Sequence, residues 1–142
     1  MMAAKRSVGP IPPFPIDIDR TMFGAYLSGF VDGEGCFSLG LDHNRHSINK
    51  TPLVRLTISL RSDDLAILNL IHSYFQCGNV QCENIVTMGA SLIGNRKPKA
   101  AFVITRVQDL FETVVPHFEK FPLFAKKKRD FEIWKDAVDF GC

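Results

Sequence analysis

The stretch Gly24-Ala25-Tyr26-Leu27-Ser28-Gly29-Phe30-Val31-Asp32-Gly33-Glu34-Gly35-Cys36-Phe37 decides how the chain folds. Ala25, Gly29 and Gly33 recur every fourth position, so on a helix they line one stripe that drifts by about 40° per step at 3.6 residues per turn. Each Gly in a soluble helix costs roughly 1 kcal/mol against Ala. Two in one stripe therefore point to an unusually close neighbour, most simply a second helix approaching backbone to backbone. Tyr26, Leu27, Phe30 and Val31 offer an apolar face for a core. Gly35 reads as a stop before the alternating strand Cys36-Phe37-Ser38-Leu39-Gly40-Leu41, which leaves Glu34 at the C-terminal tip of the helix.

A carboxylate at that end meets the negative pole of the helix dipole. Docking against a symmetry mate along the stripe would bring two copies of Glu34 together near the two-fold axis. Two such groups repel unless protonated or neutralised by a cation, and a hard divalent ion such as Mg²⁺ suits oxygen ligands. Asp32 is a poorer partner for Glu34 within one chain, because i and i+2 point about 200° apart on a helix.

Leu27-Ser28-Gly29-Phe30-Val31-Asp32-Gly33-Glu34-Gly35 resembles the nine-residue signature of the LAGLIDADG homing endonucleases, at both framing glycines, the inner Asp, the small seventh position and the acid in the eighth. The resemblance implies an α+β chain with the αββαββα fold, a four-stranded antiparallel saddle sheet in the DNA major groove, and motif helices that form the dimer interface. Glu34 is then the metal ligand. Ala25, Ser28, Gly29, Asp32 and Gly33 are the expected interface positions. Glu stands where the family usually has Asp, which keeps the ligand type and adds one methylene.

With 142 residues and a single signature, the sequence predicts one unit of this kind and an isologous homodimer, with the domain over 21–142 and an arm over 1–20. Net charge is only +2, so overall basicity does not announce nucleic acid. The charge is unevenly spread: between Cys36 and Arg106 there are eight Lys/Arg against four acids, two of which (Asp63, Asp64) adjoin a helix start. Cys36, Cys77, Cys82 and Cys142 form no dense disulfide pattern, and no signal peptide or apolar run of membrane length is evident. The expectation is an intracellular protein with reduced thiols and no membrane partner.

Along the chain, residues 9–15 hold four of the eight prolines and read as an extended arm, with Asp19 or Thr21 capping the motif helix. The polar loop 42–50 carries Arg45 and Lys50 as candidate DNA contacts. The next strand, Leu53 to Arg61, alternates: Leu56, Ile58 and Leu60 face one side and Arg55, Thr57, Ser59 and Arg61 the other. That polar row fits a groove-reading face and equally an ordinary solvated one. In the resembling family a Gln often stands near the end of this strand, and Arg61 is the nearest candidate here for a phosphate or water-network contact. Ser62 is expected to cap a helix with Leu65, Leu68, Ile71, His72 and Phe75 buried and Gly78 as its stop. Two more strands, about 79–88 and 99–106, flank a basic loop; Arg96, Lys97 and Lys99 are further DNA candidates. A helix over about 108–120 has Leu110, Phe111, Val114, Val115 and Phe118 as core, with Pro116 kinking it.

The run Lys126-Lys127-Lys128-Arg129 precedes an apolar Phe131/Trp134/Val138 face. The pattern is similar to the family's C-terminal segment, in which one Lys reaches the active site. Lys126 is the first candidate for that role and Lys127 the second, with Lys127 otherwise a DNA contact. The leading expectation is a Mg²⁺-dependent homodimeric endonuclease hydrolysing both strands of double-stranded DNA, with Glu34, Lys126 and Arg61 as catalytic residues. An intron-RNA maturase or a non-catalytic DNA-binding regulator is the alternative on the same scaffold.

Overall fold

Helix α1 (Arg20–Glu34) begins at Asp19, whose carboxylate accepts the Met22 N–H at 2.8 Å, and ends without a loop, because Gly35 already belongs to β2 (Gly35–Leu41). The computed structural model describes residues 5–7, 9–41, 52–83 and 98–141. Gly35 has an ordinary φ of −84°; glycine is needed there because a Cβ would lie 2.6 Å from Val31 Cγ1 and 2.9 Å from the Val31 carbonyl.

Strand β3 (Pro52–Arg61) pairs antiparallel with β2 and follows the expected alternation: Val54, Leu56 and Ile58 are buried, Leu60 and Thr57 half-buried, and Arg55, Ser59 and Arg61 exposed. A 3₁₀ turn over Ser62–Asp64 leads into α2 (Leu65–Phe75). Ser62 does not cap that helix; its N–H donates instead to the Pro98 carbonyl at 2.9 Å. Leu68, Ile71, His72 and Phe75 are buried as expected. The helix stops before Gly78, at Gln76, which takes the left-handed conformation with φ 56° and ties its amide to the carbonyls of Ser73 and Pro12. Gly78 also has positive φ, and a Cβ there would meet Ile104 Cγ1 at 2.7 Å, so it serves the packing of α2 onto the sheet.

Strands β4 (Asn79–Glu83) and β5 (Lys99–Ile104) pair with each other, and β5 pairs with β3. Helix α3 combines Val107–Asp109, a π-helical turn over Leu110–Val114, and Val115–Lys120. Pro116 explains the wide turn: it has no N–H for the carbonyl one turn back, and its ring would crowd that carbonyl. The extra residue shifts the phase of the helix, so Leu110, Val114, Val115 and Phe118 are buried while Phe111, expected in the core, is 41% exposed. Helix α4 (Lys127–Gly141) buries Phe131, Trp134 and Val138.

Among the described residues the sheet has five strands in the order β1-β4-β5-β3-β2, all antiparallel. β2 to β5 are the four anticipated strands. The fifth, β1 (Lys5–Ser7), comes from the arm read as lying outside the domain. The end of the arm is anchored too, at Phe14 and Arg20. Phe14 packs on Phe23 and Tyr74 with ring centroids 5.5 and 5.9 Å apart, and Arg20 donates to the Tyr74 carbonyl at 2.7 Å while its guanidinium lies 4.3 Å from the Tyr74 ring centroid. Residues 5–7, Phe14 and Arg20 thus make contacts across the boundary expected at residue 20. Helices α1, α2, α3 and α4 share one face of the sheet. There Phe37 touches Phe118, Phe131 and Trp134 with centroids 5.5, 5.4 and 5.0 Å away. The Trp134 indole N–H donates to the Arg55 carbonyl at 3.1 Å, just beyond the point where β5 stops pairing with β3.

His117 on α3 is 6% exposed and lies between Tyr74 and Ser28, its Nδ1 2.8 Å from the Tyr74 hydroxyl and its Nε2 3.2 Å from Ser28 Oγ. Ser28 donates its only hydroxyl proton to the Phe121 carbonyl at 2.6 Å. Its Oγ must then accept from His117 Nε2–H, which leaves Nδ1 to accept from Tyr74. A neutral imidazole satisfies this chain. Burial first, and the Arg20 guanidinium second, push His117 down to about 4 from 6.5. Between those values the unfolded chain binds the extra proton and the folded one does not, so stability present above pH 6.5 is lost as pH falls toward 4. Denaturant melts from pH 7.5 to 4 should show wild type losing about 3 kcal/mol more than His117→Gln across this window. Parallel profiles for the two proteins would refute the buried neutral state.

Candidate active site and nucleic-acid interface

Helix α1 presents two rows of small residues, and they face different ways. Leu27 and Val31 are fully buried on the side of the helix opposite Ala25, Gly29 and Gly33. Ala25, Gly29 and Gly33 are exposed, and a Cβ on Gly29 or Gly33 would meet nothing within 4 Å, so nothing in the described chain explains their lack of side chains. Tyr26, expected in the core, flanks this open row at 52% exposure, and Phe30 is half-buried.

The second row is Gly24, Ser28 and Asp32, and it faces inward. A Cβ on Gly24 would lie 2.6 Å from the Phe121 ring and 2.9 Å from the Tyr74 hydroxyl. Ser28 is 3% exposed and bonded to Phe121. Asp32 accepts the N–H groups of Phe124 at 2.9 Å and Ala125 at 3.2 Å. Ser28 and Asp32, expected at a dimer contact with Ala25, Gly29 and Gly33, lie on a different side of the helix from them: one helical step separates the two rows by about 100°, and both polar side chains are bonded within the chain. The 24/28/32 spacing was visible in the sequence, but the segment it serves lies some 90 positions away.

Glu34 is exposed at the end of α1 and lines a cleft of about 400 Å³ with Ser59, Leu60, Arg61, Asp64 and Lys99. The cleft follows from topology. β2 leaves α1 without a linker and places Gly35 opposite Ile58, while the antiparallel register puts Arg61 directly across from Lys99. Two cations side by side are unfavourable alone, and the carboxylates of Glu34 and Asp64 share their cleft. Asp64 was missed as a member of this group, because beside a helix start an acid is already accounted for by the dipole. Lys126, expected at the site, is exposed and does not line the cleft; the residue before it, Ala125, is bonded through its N–H to Asp32, two positions before Glu34. Lys127 is half-buried at the start of α4.

The cleft opens at one end of the sheet face that carries no helix among the described residues. Antiparallel partners share a face, so Ser38 joins Arg55, Cys36 joins Thr57, and Ala101 and Gln81 lie beyond Ser59. Of the residues expected to contact DNA, Arg55, Thr57, Ser59, Arg61 and Lys99 lie together here. Arg45, Lys50, Arg96 and Lys97 fall outside the described residues. No group of three or more His, Cys, Asp and Glu converges among the described residues, and the carboxylates that line this cleft are those of Glu34 and Asp64. Their hard oxygens fit Mg²⁺. None of the described helices is long and apolar enough to cross a membrane.

These elements have clear counterparts. The crystal structure of the homing endonuclease I-TnaI is similar at a TM-score of 0.68 and 27% identity, over 87% of this chain and 74% of that one. I-CpaMI, solved bound to uncleaved DNA, gives 0.67 and 27%, over 82% of this chain and 37% of its own. The probable intron-encoded endonuclease 2 of Neurospora crassa is 30% identical over 115 residues, 80% of this chain and 23% of that protein. Homing endonuclease I-ApeII of Aeropyrum pernix is 23% identical over 85% of this chain and 65% of its own length. The chain thus spans about a quarter of the fungal relative and just under two thirds of I-ApeII. The family model described as LAGLIDADG endonuclease matches residues 27–138, which take in every element from the motif helix to the body of α4, and with it the chain belongs to the LAGLIDADG endonuclease family.

Proposed function

We propose that the chain is one half of a site-specific, divalent-metal-dependent DNA endonuclease that acts as a homodimer and hydrolyses phosphodiester bonds in double-stranded DNA. The observation that carries this reading is the meeting of three features at one place: the exposed Glu34 carboxylate, the end of the open Ala25/Gly29/Gly33 row, and the cationic end of the sheet face at Arg61 and Lys99. Dimerisation along that row would bring two clefts together at the two-fold axis, as a double-strand cut requires.

In this reading Arg55, Thr57, Ser59 and Lys99 hold the duplex against the sheet, and the protein supplies charge and position for attack of water on phosphorus with departure of a sugar oxygen. Glu34, with Asp64 beside it, would hold the cation. When bound, the ion lowers the pKa of water and neutralises charge on the reacting oxygens. Arg61 and Lys126 add fixed positive charge where the pentacoordinate phosphate carries its negative charge. Intron-encoded relatives and the DNA bound by I-CpaMI support a DNA substrate.

Glu34→Gln is nearly isosteric at an exposed helix end, so it should leave the fold intact while cleavage of a selected duplex in Mg²⁺ falls by several orders of magnitude. Cutting at the wild-type rate would remove Glu34 from the reaction; a wild-type protein that binds a selected duplex tightly without cutting it would favour the maturase or regulator. Gly29→Leu should convert the dimer to monomer in sedimentation, and a wild-type protein that stays monomeric with or without DNA would exclude the proposed contact. Arg55→Ala should weaken DNA binding and lower the slope of log K against log salt by about one for a phosphate contact, or cost ~1–3 kcal/mol of site preference for a base contact. Unchanged binding on both measures would mean that another surface meets the DNA.

A further inference from the structure

The segment Phe121–Lys126 joins α3 to α4, and its anchors lie on the inner row of the motif helix. The Phe121 ring closes over Gly24, and the Phe121 carbonyl accepts from Ser28. Leu123 is 2% exposed in the core. Then Asp32 takes two consecutive amides, Phe124 and Ala125, with one carboxylate. The next residue is Lys126, whose carbonyl accepts from Arg129 N–H at 3.2 Å as α4 begins. A carboxylate bonded to two successive N–H groups is a charge-assisted clamp. It also lies at the positive pole of α4, beside Lys126-Lys127-Lys128-Arg129, where an anion offsets both dipole and cations.

Asp32 and Glu34 belong to the last turn of one rigid helix, separated by about 3 Å of axial rise. We infer that Asp32 is a positioning residue for the endonuclease reaction: it fixes the main chain at Phe124 and Ala125 so that Lys126 and Glu34 are held in one frame, with Ser28 holding the other end of the same segment. This rests on the endonuclease reading above and on Lys126 acting at the phosphate. It gives the inner polar residues of the motif a task different from dimerisation, which the outer row serves.

The test compares wild type, Asp32→Ala, Asp32→Asn, Lys126→Met and the double variant Asp32→Ala/Lys126→Met on a selected duplex in Mg²⁺, measuring single-turnover rate, DNA affinity and sedimentation. Asp32→Ala should slow cleavage by about a hundredfold, the cost of a misplacement near 1 Å, with affinity and dimerisation unchanged. Asp32→Asn keeps one acceptor oxygen and should fall between. In the Lys126→Met background Asp32→Ala should add almost nothing, whereas a structural effect would multiply. Hydrogen exchange in the free protein reads the clamp without activity: the Phe124 and Ala125 amides should exchange faster in Asp32→Asn, which also covers the case in which Asp32→Ala does not fold. Wild-type rates in Asp32→Ala, multiplicative losses in the double variant, or unchanged exchange would each overturn the positioning role while leaving the endonuclease reading intact. A wild-type protein that binds its duplex and does not cut overturns both.

Discussion

Close packing against the backbone of helix α1 is the constraint on which the rest of the molecule depends. On one side the Phe121 ring comes so near Gly24 that a methyl group would collide with it. At the C-terminal end β2 leaves so sharply that Gly35 alone fits against Val31. On the outer side Gly29 and Gly33 leave the backbone open. The helix gives up propensity at Gly24, Gly29 and Gly33, while Gly24 and Gly35 permit close, stiff connections to the Phe121 segment and to β2. Because the handover to β2 has no slack, Glu34 is fixed relative to the sheet; because Ser28 and Asp32 grip the distant 121–125 segment, the start of α4 is fixed relative to the same helix.

Charge follows that mechanical frame. The helix-bearing face of the sheet takes Leu56, Ile58, Phe102 and Ile104 out of water completely, each worth about 1.5–3 kcal/mol of burial. The opposite face is left to Arg55, Ser59, Arg61 and Lys99. Strand alternation lets one ten-residue strand, β3, do both jobs. The buried Tyr74-His117-Ser28 chain shows the same economy on the helical side: a polar group in the core is tolerated because each hydrogen has an acceptor, and the imidazole stays neutral as a result.

What could be read from the sequence was what repeats locally. The motif helix, its Asp19 cap, the β3 alternation and the α2 core stripe all have periods of two to four residues, and a signature of nine residues was enough to identify the family. Glu34, Arg61 and Lys99 could be named as candidates because each lies at an element end or on a recognisable polar face. Long-range partners were harder. Nothing near Ser28 in sequence says that its hydroxyl meets Phe121, and nothing near Asp32 says that its carboxylate meets the Phe124 and Ala125 amides. Asp64 was hidden because a helix start already explains an acid. Phe111 was misplaced because an ideal 3.6-residue period does not survive the π turn that precedes Pro116.

The N-terminal arm has a consequence for the sheet as a whole. By pairing Lys5–Ser7 with Gln81–Glu83, it covers what would otherwise be the outer edge of β4. An uncovered strand edge is a template for pairing with another molecule, and natural sheets block such edges to stay soluble. Phe14 and Arg20 hold the base of the arm against Tyr74, so the covering strand is tethered where it leaves the body of the protein. A protein trimmed to its motif would expose a row of unsatisfied amides and carbonyls, and would be inclined to self-associate edge to edge, by a route unrelated to the two-fold contact of α1.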